Sequence, residues 1–192
     1  HNCLVGSEMC IRDRIKVNSL HKETPGFIIA TKNLYDDGLL REEYFKKVME
    51  NADAIESIID YDKDYTFDYF ALTTLIRAYL LKFDNRTIER PQDLWMRVTL
   101  TVTGNEFNLD KIKETYKSLS SGMYTHATPT LFNSGLKMQQ LSSCFLIGME
   151  DDSIEGIFNT IKDCALISKT AGGIGMHAHN IRGSGSRIKS TN

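Results

Sequence analysis

The sequence has little proline, no long apolar run and almost no net charge. Three prolines in 192 residues exclude a proline-rich linker. No apolar stretch approaches the roughly 20 residues that a membrane-spanning helix requires. The 23 basic and 25 acidic residues nearly cancel, so bulk charge gives no reason to expect a nucleic-acid or membrane surface. What remains is an ordinary globular composition in a chain long enough for one medium domain or two small ones.

Cysteine is scarce too, and its spacing excludes two kinds of site. The four cysteines are Cys3, Cys10, Cys144 and Cys164. No two of them have the C-x-x-C spacing of a zinc knuckle or a thioredoxin-like redox motif. An even number does not by itself predict disulfides in a chain of this size, so we expect a reducing, cytoplasmic location.

The two ends of the sequence differ from the rest. Residues 5–14 (VGSEMCIRDR) resemble a translated sequencing adaptor and lack periodicity, so we interpret residues 1–14 as a non-native segment and leave them out of fold prediction. The last residues lie in a glycine- and charge-rich loop without a closing element. We therefore expect the chain to be a fragment of a longer protein.

Apolar side chains recur every three or four positions through much of residues 40–125, which predicts amphipathic helices. Residues 15–38 are weakly patterned, and we expect loop with one helical turn at most. Pro91 suits a first helical position, Asp84 and Asn85 suit a turn, and Asn108 suits an N-cap. Residues 98–103 have strand propensity, but the apolar spacing favours continued helix. We interpret residues 15–125 as a helical N-terminal domain. The predicted inward faces are Leu40, Tyr44, Val48, Ala52, Ile55, Ile59; Phe67, Phe70, Ala71, Leu75, Ala78, Leu81; Leu94, Trp95, Val98; and Ile112, Tyr116, Leu119, Met123.

The stretch around Cys144 has a different residue pattern from the helical region before it. Residues 126–135 are turn-rich, and residues 141–149 have the length and bounding turns of a buried strand. Asp152 or Ser153 can cap the following helix, with Glu155 completing a capping box. Glycines at 172–175 stop that helix, and residues 176–179 alternate like a strand. Residues 126–192 therefore predict strand, helix, strand, the start of an α/β domain. The predicted inner helix face is Ile154, Ile157, Phe158, Ile161, Cys164, Ala165 and Ser168.

Cys144 has two readings from the residues alone. A lone cysteine in an apolar strand is usually a small buried hydrophobe, and this reading is favoured over a reactive thiol. Paired with His126 or His177, it would instead suggest a hydrolytic thiol–imidazole pair.

Ligand-binding motifs around this stretch are also ambiguous. The glycines at 172–175 match neither a P-loop nor a dinucleotide fingerprint. His177 and His179 share a face and could ligate a metal with Cys164, but the spacing favours ordinary polar histidines and we predict no metal site. Basic side chains could form a triphosphate clamp with the helix start at Asp151 and Asp152, although spacing alone favours a solvated basic surface. They are Lys169, Arg182, Arg187 and Lys189.

Several blocks nevertheless resemble the large subunit of class I ribonucleotide reductases of the eukaryotic type. The resemblance implies a helical N-terminal domain followed by the first strands and helix of a ten-stranded α/β barrel, which starts here at residues 126–192. The blocks are residues 79–82 (YLLK), 89–92 (ERPQ), 126–133 (HATPTLFN), 140–146 (QLSSCFL), 151–157 (DDSIEGI), 164–169 (CALISK) and 171–175 (AGGIG).

The resemblance also implies residue roles. Cys144 matches the redox cysteine that reduces the ribose and then forms a disulfide with a later cysteine. Thr128 and Ser143 match substrate-binding positions. At Lys189 and Ser190 the family has two small residues, so the sequence departs from its pattern there. The positions matching the allosteric effector site are Asp152, Ser153, Ile154, Lys169, Arg182, Lys189 and Ser190.

The implied activity is reduction of ribonucleoside diphosphates to deoxyribonucleoside diphosphates by thiol and radical chemistry. The implied effector is ATP or a deoxynucleoside triphosphate, bound at the interface of a homodimer. The radical and its metal centre would lie in a small partner subunit, and thioredoxin or glutaredoxin would be the reductant; no cofactor, nucleic acid or membrane is expected for this chain itself. Because the radical cysteine and the partner thiol would follow residue 192, we expect the fragment alone to be inactive. The alternative is a non-catalytic regulatory module that binds deoxynucleotides.

Overall fold

The computed structural model describes residues 8–170 and 172–187. The chain divides into two compact units, His1–Gln139 and Gln140–Asn192, which are described separately. The helices of the first unit are α1 Glu8–Glu23, α2 Phe27–Asp36, α3 Glu42–Glu50, α4 Ala52–Glu56, α5 Tyr69–Thr74, α6 Pro91–Val102, α7 Leu109–Ser120 and α8 Thr128–Asn133. A 3₁₀ turn spans Tyr61–Thr66, a π turn spans Leu75–Tyr79, and a small hairpin consists of β1 Lys82–Phe83 and β2 Arg86–Thr87.

Residues 15–38 are helical, so the prediction of loop is wrong. They form most of α1 and all of α2. Phe27, Ala30 and Leu34 recur with helical spacing and are buried. The sequence suggested only a short apolar run at residues 27–30 with a break at Gly38, whereas Leu34 continues the buried face of the helix.

The helix predicted from Leu40 to Ile59 is interrupted at Asn51. This residue has φ −126° and ψ 24°, outside the helical region, and separates α3 from α4. Its side-chain amide donates to the Lys47 carbonyl oxygen at 2.9 Å. Asparagine side chains compete with the backbone in this way, which explains the break.

Several local predictions in the first unit are confirmed. Asp84 and Asn85 have φ values of 48° and 59°, as the turn between two paired strands requires. α6 begins at Pro91 and continues as helix to Val102 despite its β-branched residues. The Asn108 side chain accepts the Lys111 N–H and caps α7.

Two other local predictions are wrong. Met123 lies beyond α7 and is exposed, and residues 128–133 form α8 instead of a turn.

Two apolar clusters form the core of the first unit, and Trp95 of α6 packs against both. A fully buried ion pair lies beside them: the Arg97 guanidinium bonds both carboxylate oxygens of Glu89 and donates to the Ser134 carbonyl oxygen at 2.8 Å. Arg97 thereby ties α6 to the end of α8. No described helix is long and apolar enough to cross a membrane.

The second unit is a strand–helix–strand unit, as predicted. β3 (Cys144–Gly148) and β4 (Gly173–His177) are parallel, with Cys144 opposite Gly173 and Gly148 opposite His177. The connection is α9, Ile154–Lys169. The Gly172 N–H bonds the Ile167 carbonyl oxygen at 3.3 Å and closes the last turn. β4 begins at Gly173, so part of the glycine stretch is strand.

Burial in the second unit differs from the prediction. β3 alternates between exposed and half-buried residues and is not a buried strand. On α9, Gly156 and Thr160 are buried, whereas Ile154, Phe158 and Ile161 of the predicted inner face are exposed. Small residues form the packed side because the loop before the helix approaches it closely: a Cβ at Gly156 would lie 2.7 Å from the Asp151 nitrogen.

Candidate functional site

Cys144 is the first residue of β3 and carries a free, exposed thiol. The favoured reading of a small buried hydrophobe is therefore wrong. The neighbouring strand leaves the sulfur uncovered, because its residue opposite Cys144 is Gly173. A Cβ built on Gly173 would lie 3.7 Å from the sulfur, within van der Waals contact. The geometry leaves this thiol open to a reactant, as nucleophilic or redox chemistry requires.

Two hydroxyl side chains were predicted to bind substrate. Ser143 is exposed directly before Cys144, and its carbonyl oxygen accepts the Gly173 N–H at 2.8 Å. Thr128 is the exposed first residue of α8 and belongs to the first unit. Ser143 is thus adjacent to the thiol in the described structure, whereas the substrate-binding role of Thr128 stays a prediction.

The thiol–imidazole pairing of Cys144 with His177 is wrong. His177 ends β4 opposite Gly148, at the far end of β3 from Cys144. Four residues of strand separate the two positions by about 13 Å. His177 Nδ1 instead lies 2.7 Å from His179 Nδ1. His126 belongs to the first unit and its pairing with Cys144 stays a prediction.

The start of α9 and the loop after β4 are joined by an ion pair. The Arg182 guanidinium donates to the Asp152 carboxylate and, at 2.9 Å, to the Asp152 carbonyl oxygen. The Ser153 side chain accepts the Gly156 N–H at 3.0 Å, so Ser153 is the N-cap and the predicted capping box with Glu155 is absent. Ile154, the first helical residue, is 78% exposed.

This helix start can accept a polar anionic ligand. The N–H groups of the first helical turn point outwards and favour negative charge. Asp152 would repel a phosphate on its own, but Arg182 neutralises it. The second unit thus presents N–H donors, an arginine, a carboxylate that can accept a hydroxyl, and an exposed aliphatic side chain at one point.

Of the other predicted cations, the two that the structure describes, Lys169 and Arg187, do not pair with Asp152. Lys169 is the last residue of α9, fifteen residues beyond Ile154, and a helical rise of 1.5 Å per residue places it about 22 Å away along the axis. Arg187 is exposed, and among the described residues it forms no ion pair. Lys189 and Ser190 lie outside the described residues. Of the basic side chains considered for a triphosphate clamp, Arg182 alone pairs with Asp152 within the described part of one chain.

The segment between β3 and α9 is held in place by residues that the sequence analysis did not single out. The Thr160 hydroxyl donates to the Gly156 carbonyl oxygen and accepts the Glu150 N–H at 3.1 Å. The Asn180 amide donates to the Met149 carbonyl oxygen at 2.7 Å. Their only signal was the position of small polar residues beside a helix start and after a strand.

The metal cluster considered for Cys164, His177 and His179 does not form. Within residues 8–170 and 172–187, no three histidine, cysteine or acidic side chains converge on one point. Cys164 is a half-buried free thiol on α9.

Comparison with known proteins identifies both parts of the chain. Residues 65–139 match the family described as ribonucleotide reductase, all-alpha domain, and residues 142–192 match ribonucleotide reductase, barrel domain. These matches confirm the predicted fold class, a helical domain followed by the start of a barrel domain.

Relatives from distant eukaryotes agree. The ribonucleoside-diphosphate reductase large chain 2 of Saccharomyces cerevisiae is 46% identical over 189 residues, covering 93% of this chain and 22% of the relative. The large subunit of Arabidopsis thaliana is 45% identical over 189 residues, and the large chain of Cryptosporidium parvum is 47% identical over 188 residues; each covers 93% of this chain and 23% of the relative. The chain thus spans less than a quarter of the length of these relatives. It belongs to the ribonucleotide reductase large-subunit family.

Proposed function

We propose that this chain forms the part of a ribonucleoside-diphosphate reductase that carries one redox cysteine and the allosteric effector loop. The observation that carries the proposal is the uncovered Cys144 thiol at the start of the first strand of the barrel domain, beside the Ser143 hydroxyl. Relatives named as ribonucleoside-diphosphate reductases support the substrate class. As the resemblance implies, Ser143 and Thr128 would hydrogen-bond the substrate.

Cys144 would supply one half of a dithiol. In the net reaction, two thiols give two electrons and two protons to the ribonucleoside diphosphate. The 2′ carbon–oxygen bond breaks, the oxygen leaves as water, a carbon–hydrogen bond replaces it, and the two sulfurs form a disulfide. The half-buried Cys164 on α9 is not proposed as the second thiol, because the resemblance implies a partner cysteine that follows residue 192.

The start of α9 would bind the effector, a deoxynucleoside triphosphate or ATP. Asp152 can accept a hydroxyl of the sugar, Ile154 offers an apolar contact, and the first N–H groups of the helix together with Arg182 offer donors to phosphate. The residues present therefore fit this class of ligand. Lys189 and Ser190, which lie outside the described residues, are proposed as further effector contacts because they match family positions.

Lys169 can complete that site only from a second copy of the chain. The length of α9 separates Lys169 from Ile154, at the helix start next to Asp152, by about 22 Å. A single nucleotide is too short to contact both ends of this rigid helix. A two-fold pairing that brings the α9 helices together would place Lys169 of one copy near Asp152 of the other. The proposed second copy is another large subunit. The resemblance further implies a small subunit that holds the radical and its metal, and thioredoxin or glutaredoxin as reductant in the cytoplasm.

Turnover of the full-length protein tests the redox role. We expect Cys144→Ser to abolish multiple turnover with a dithiol reductant, while Cys164→Ser, the matched control, keeps it. Effector binding should persist in both variants. Sustained turnover by Cys144→Ser would contradict the proposal.

The Asp152–Arg182 loop also supports the alternative of a regulatory module without catalysis, since this loop is built independently of the thiol. In that case the full-length protein would bind a deoxynucleoside triphosphate and show no reductase activity, with or without a small subunit. Measured turnover of the unmodified protein would exclude this alternative.

Mixed dimers test the shared effector site. Asp152→Asn and Lys169→Gln should each weaken effector binding when present in every copy. Because the two residues of one site come from different copies, each dimer that combines the two variants regains one intact site. If both residues served one site from the same copy, mixing would restore nothing.

A further inference from the structure

Two imidazole rings converge where β4 ends. His177 is the last residue of β4, and His179 follows two positions later on the same side. Their Nδ1 atoms lie 2.7 Å apart, their ring centroids are 4.6 Å apart, and both side chains are exposed. Gly148 on the opposite strand makes room for the first ring: a Cβ there would lie 2.9 Å from His177 Nε2.

The short distance between the nitrogens is that of a hydrogen bond, with one proton between them in either tautomer. One Nδ1 donates and the other accepts, so both lone-pair directions meet at a single point. A metal ion that replaces this proton would bond both nitrogens at once. Bonds of about 2.1 Å that meet at a right angle separate two nitrogens by about 3.0 Å, whereas a tetrahedral ion separates them by about 3.4 Å. The observed 2.7 Å is nearer to the right-angled geometry.

The backbone beneath the pair is held at both ends. The Met149 N–H donates to the His177 carbonyl oxygen at 3.0 Å, and the Asn180 side chain donates to the Met149 carbonyl oxygen at 2.7 Å. The rings therefore project from a fixed support and only small side-chain rotations are needed to admit an ion. Such preorganisation favours chelation by two side chains over binding by either one.

We propose that His177 and His179 form a chelating site for a late divalent transition-metal ion of the Ni²⁺ or Cu²⁺ type, bound through both Nδ1 atoms. Imidazole nitrogen suits these ions, and right-angled coordination is their preference. Because no third histidine, cysteine or carboxylate converges on the pair within the described residues, water completes the coordination. Mg²⁺ and Ca²⁺, which prefer oxygen ligands, are excluded by the same donor set. The site is independent of the proposed reductase function.

A Ni²⁺ titration of the 192-residue chain followed by nuclear magnetic resonance tests the proposal. Ni²⁺ broadens signals of nearby nuclei, so its position is read residue by residue and binding elsewhere on the chain is distinguished. We expect the ring signals of His177 and His179, with the backbone signals of residues 148–149 and 176–180, to broaden together below one equivalent. Mg²⁺ should leave them unchanged.

Single variants distinguish chelation from binding to one ring. His177→Gln and His179→Gln should each raise the Ni²⁺ concentration needed for half broadening about tenfold or more, the effect of losing about 1.4 kcal/mol of binding. His126→Gln removes a histidine from the other unit and should change nothing near residue 178. The proposal is overturned if His179→Gln leaves the midpoint at His177 unchanged, or if neither ring responds to Ni²⁺ in the unmodified chain.

Discussion

The two units of the molecule bury their apolar side chains to different degrees. In the described part of the chain, every buried hydrophobic side chain of the core lies between Val17 and Leu131, in the first unit. The first unit also exposes some large hydrophobic side chains, such as Phe70 and Met123, but the described part of the second unit exposes them without burying any. Those of the second unit are Leu146 (92%), Ile154 (78%), Phe158 (65%), Leu166 (56%), Met176 (51%) and Ile161 (49%).

This difference separates a unit with its own buried core from the unit that carries most of the proposed ligand contacts. The first unit closes its own core around α6 and satisfies buried charges internally, as the Arg97–Glu89 pair shows. The second unit carries the exposed Cys144 thiol and the Asp152–Arg182 loop on a two-stranded sheet. Exposed apolar surface of this extent marks contact surfaces. Four of the six side chains lie on α9, which agrees with the proposed pairing through that helix, whereas Leu146 and Met176 lie on the sheet.

The largest expected effect is on the buried ion pair of the first unit. Arg97→Met should destabilise that unit by about 3–5 kcal/mol, because Glu89 stays buried without its cation and the Ser134 carbonyl loses its donor. Urea denaturation followed by Trp95 fluorescence measures the loss. A Glu89→Gln/Arg97→Met double variant should recover part of it, since the uncompensated charge is gone.

A surface ion pair of the same unit provides the control. Lys46 and Glu42 pair at 2.6 Å on α3, and both side chains are more than 60% exposed. Lys46→Met should therefore leave the urea midpoint almost unchanged. If Arg97→Met and Lys46→Met had equal effects, the first unit would not depend on its buried polar network.

The next effect is a pH dependence of the first unit. Burial raises the pKa of Asp93 to about 7, although hydrogen bonds from Tyr61 and from the Arg90 N–H oppose the rise. Its unfolded pKa is about 3.9. Because the folded state binds the Asp93 proton more tightly than the unfolded state, protonated Asp93 contributes to the free energy of unfolding. This contribution is fully present below about pH 4 and is lost as the pH rises through about 7.

Asp93→Asn tests this assignment. The variant removes the titrating group, so its unfolding free energy should fall less steeply between pH 4 and pH 7, by up to about 1.4 kcal/mol per pH unit. Urea midpoints of both proteins at several pH values give the difference. Parallel curves would show that Asp93 is ionised alike in the folded and unfolded chain.

What the sequence could predict follows the same division. Local chemistry was sufficient for the Asp84–Asn85 turn, the Pro91 start of α6 and the Asn108 cap, since each depends on a few neighbouring residues. For α9 it left the cap open between Asp152 and Ser153, and the structure has Ser153. The Glu89–Arg97 pair was not predicted, because it depends on how α6 packs against the residues before it. In the second unit, periodicity gave the elements and the resemblance gave the candidate site. Their exposure could not be read from apolar spacing, since spacing does not show which of two apolar faces is covered.

A smaller and more local effect is expected from Gly156→Ala in the second unit. The added methyl would lie 2.7 Å from the Asp151 nitrogen and 2.8 Å from its carbonyl oxygen, backbone atoms that cannot move freely. We expect about 1–3 kcal/mol of destabilisation confined to α9 and its preceding loop. Amide hydrogen exchange should show faster exchange in α9 and unchanged exchange in α6.

Gly173→Ala is the matched glycine control. Its methyl would meet only the Ser143 carbonyl oxygen at 3.4 Å and the Cys144 sulfur at 3.7 Å, which are ordinary contacts. Exchange in α9 should therefore stay near that of the unmodified chain. Faster exchange throughout both units in Gly156→Ala would mean that the units unfold together.

The smallest effects come from the same change made in both units. Asn108 and Ser153 each cap a helix by accepting the N–H three residues later, from Lys111 and Gly156. Replacement by alanine should cost about 1 kcal/mol at either position. The consequence should differ, because α7 is anchored by buried Ile112, Tyr116 and Leu119, whereas one apolar face of α9 is uncovered.

Asn108→Ala should then lower the urea midpoint of the first unit without local opening. Ser153→Ala should speed hydrogen exchange in the first turns of α9 and leave that midpoint unchanged. Identical exchange profiles for the two variants would remove the distinction between a self-supporting unit and one whose helix stays partly uncovered.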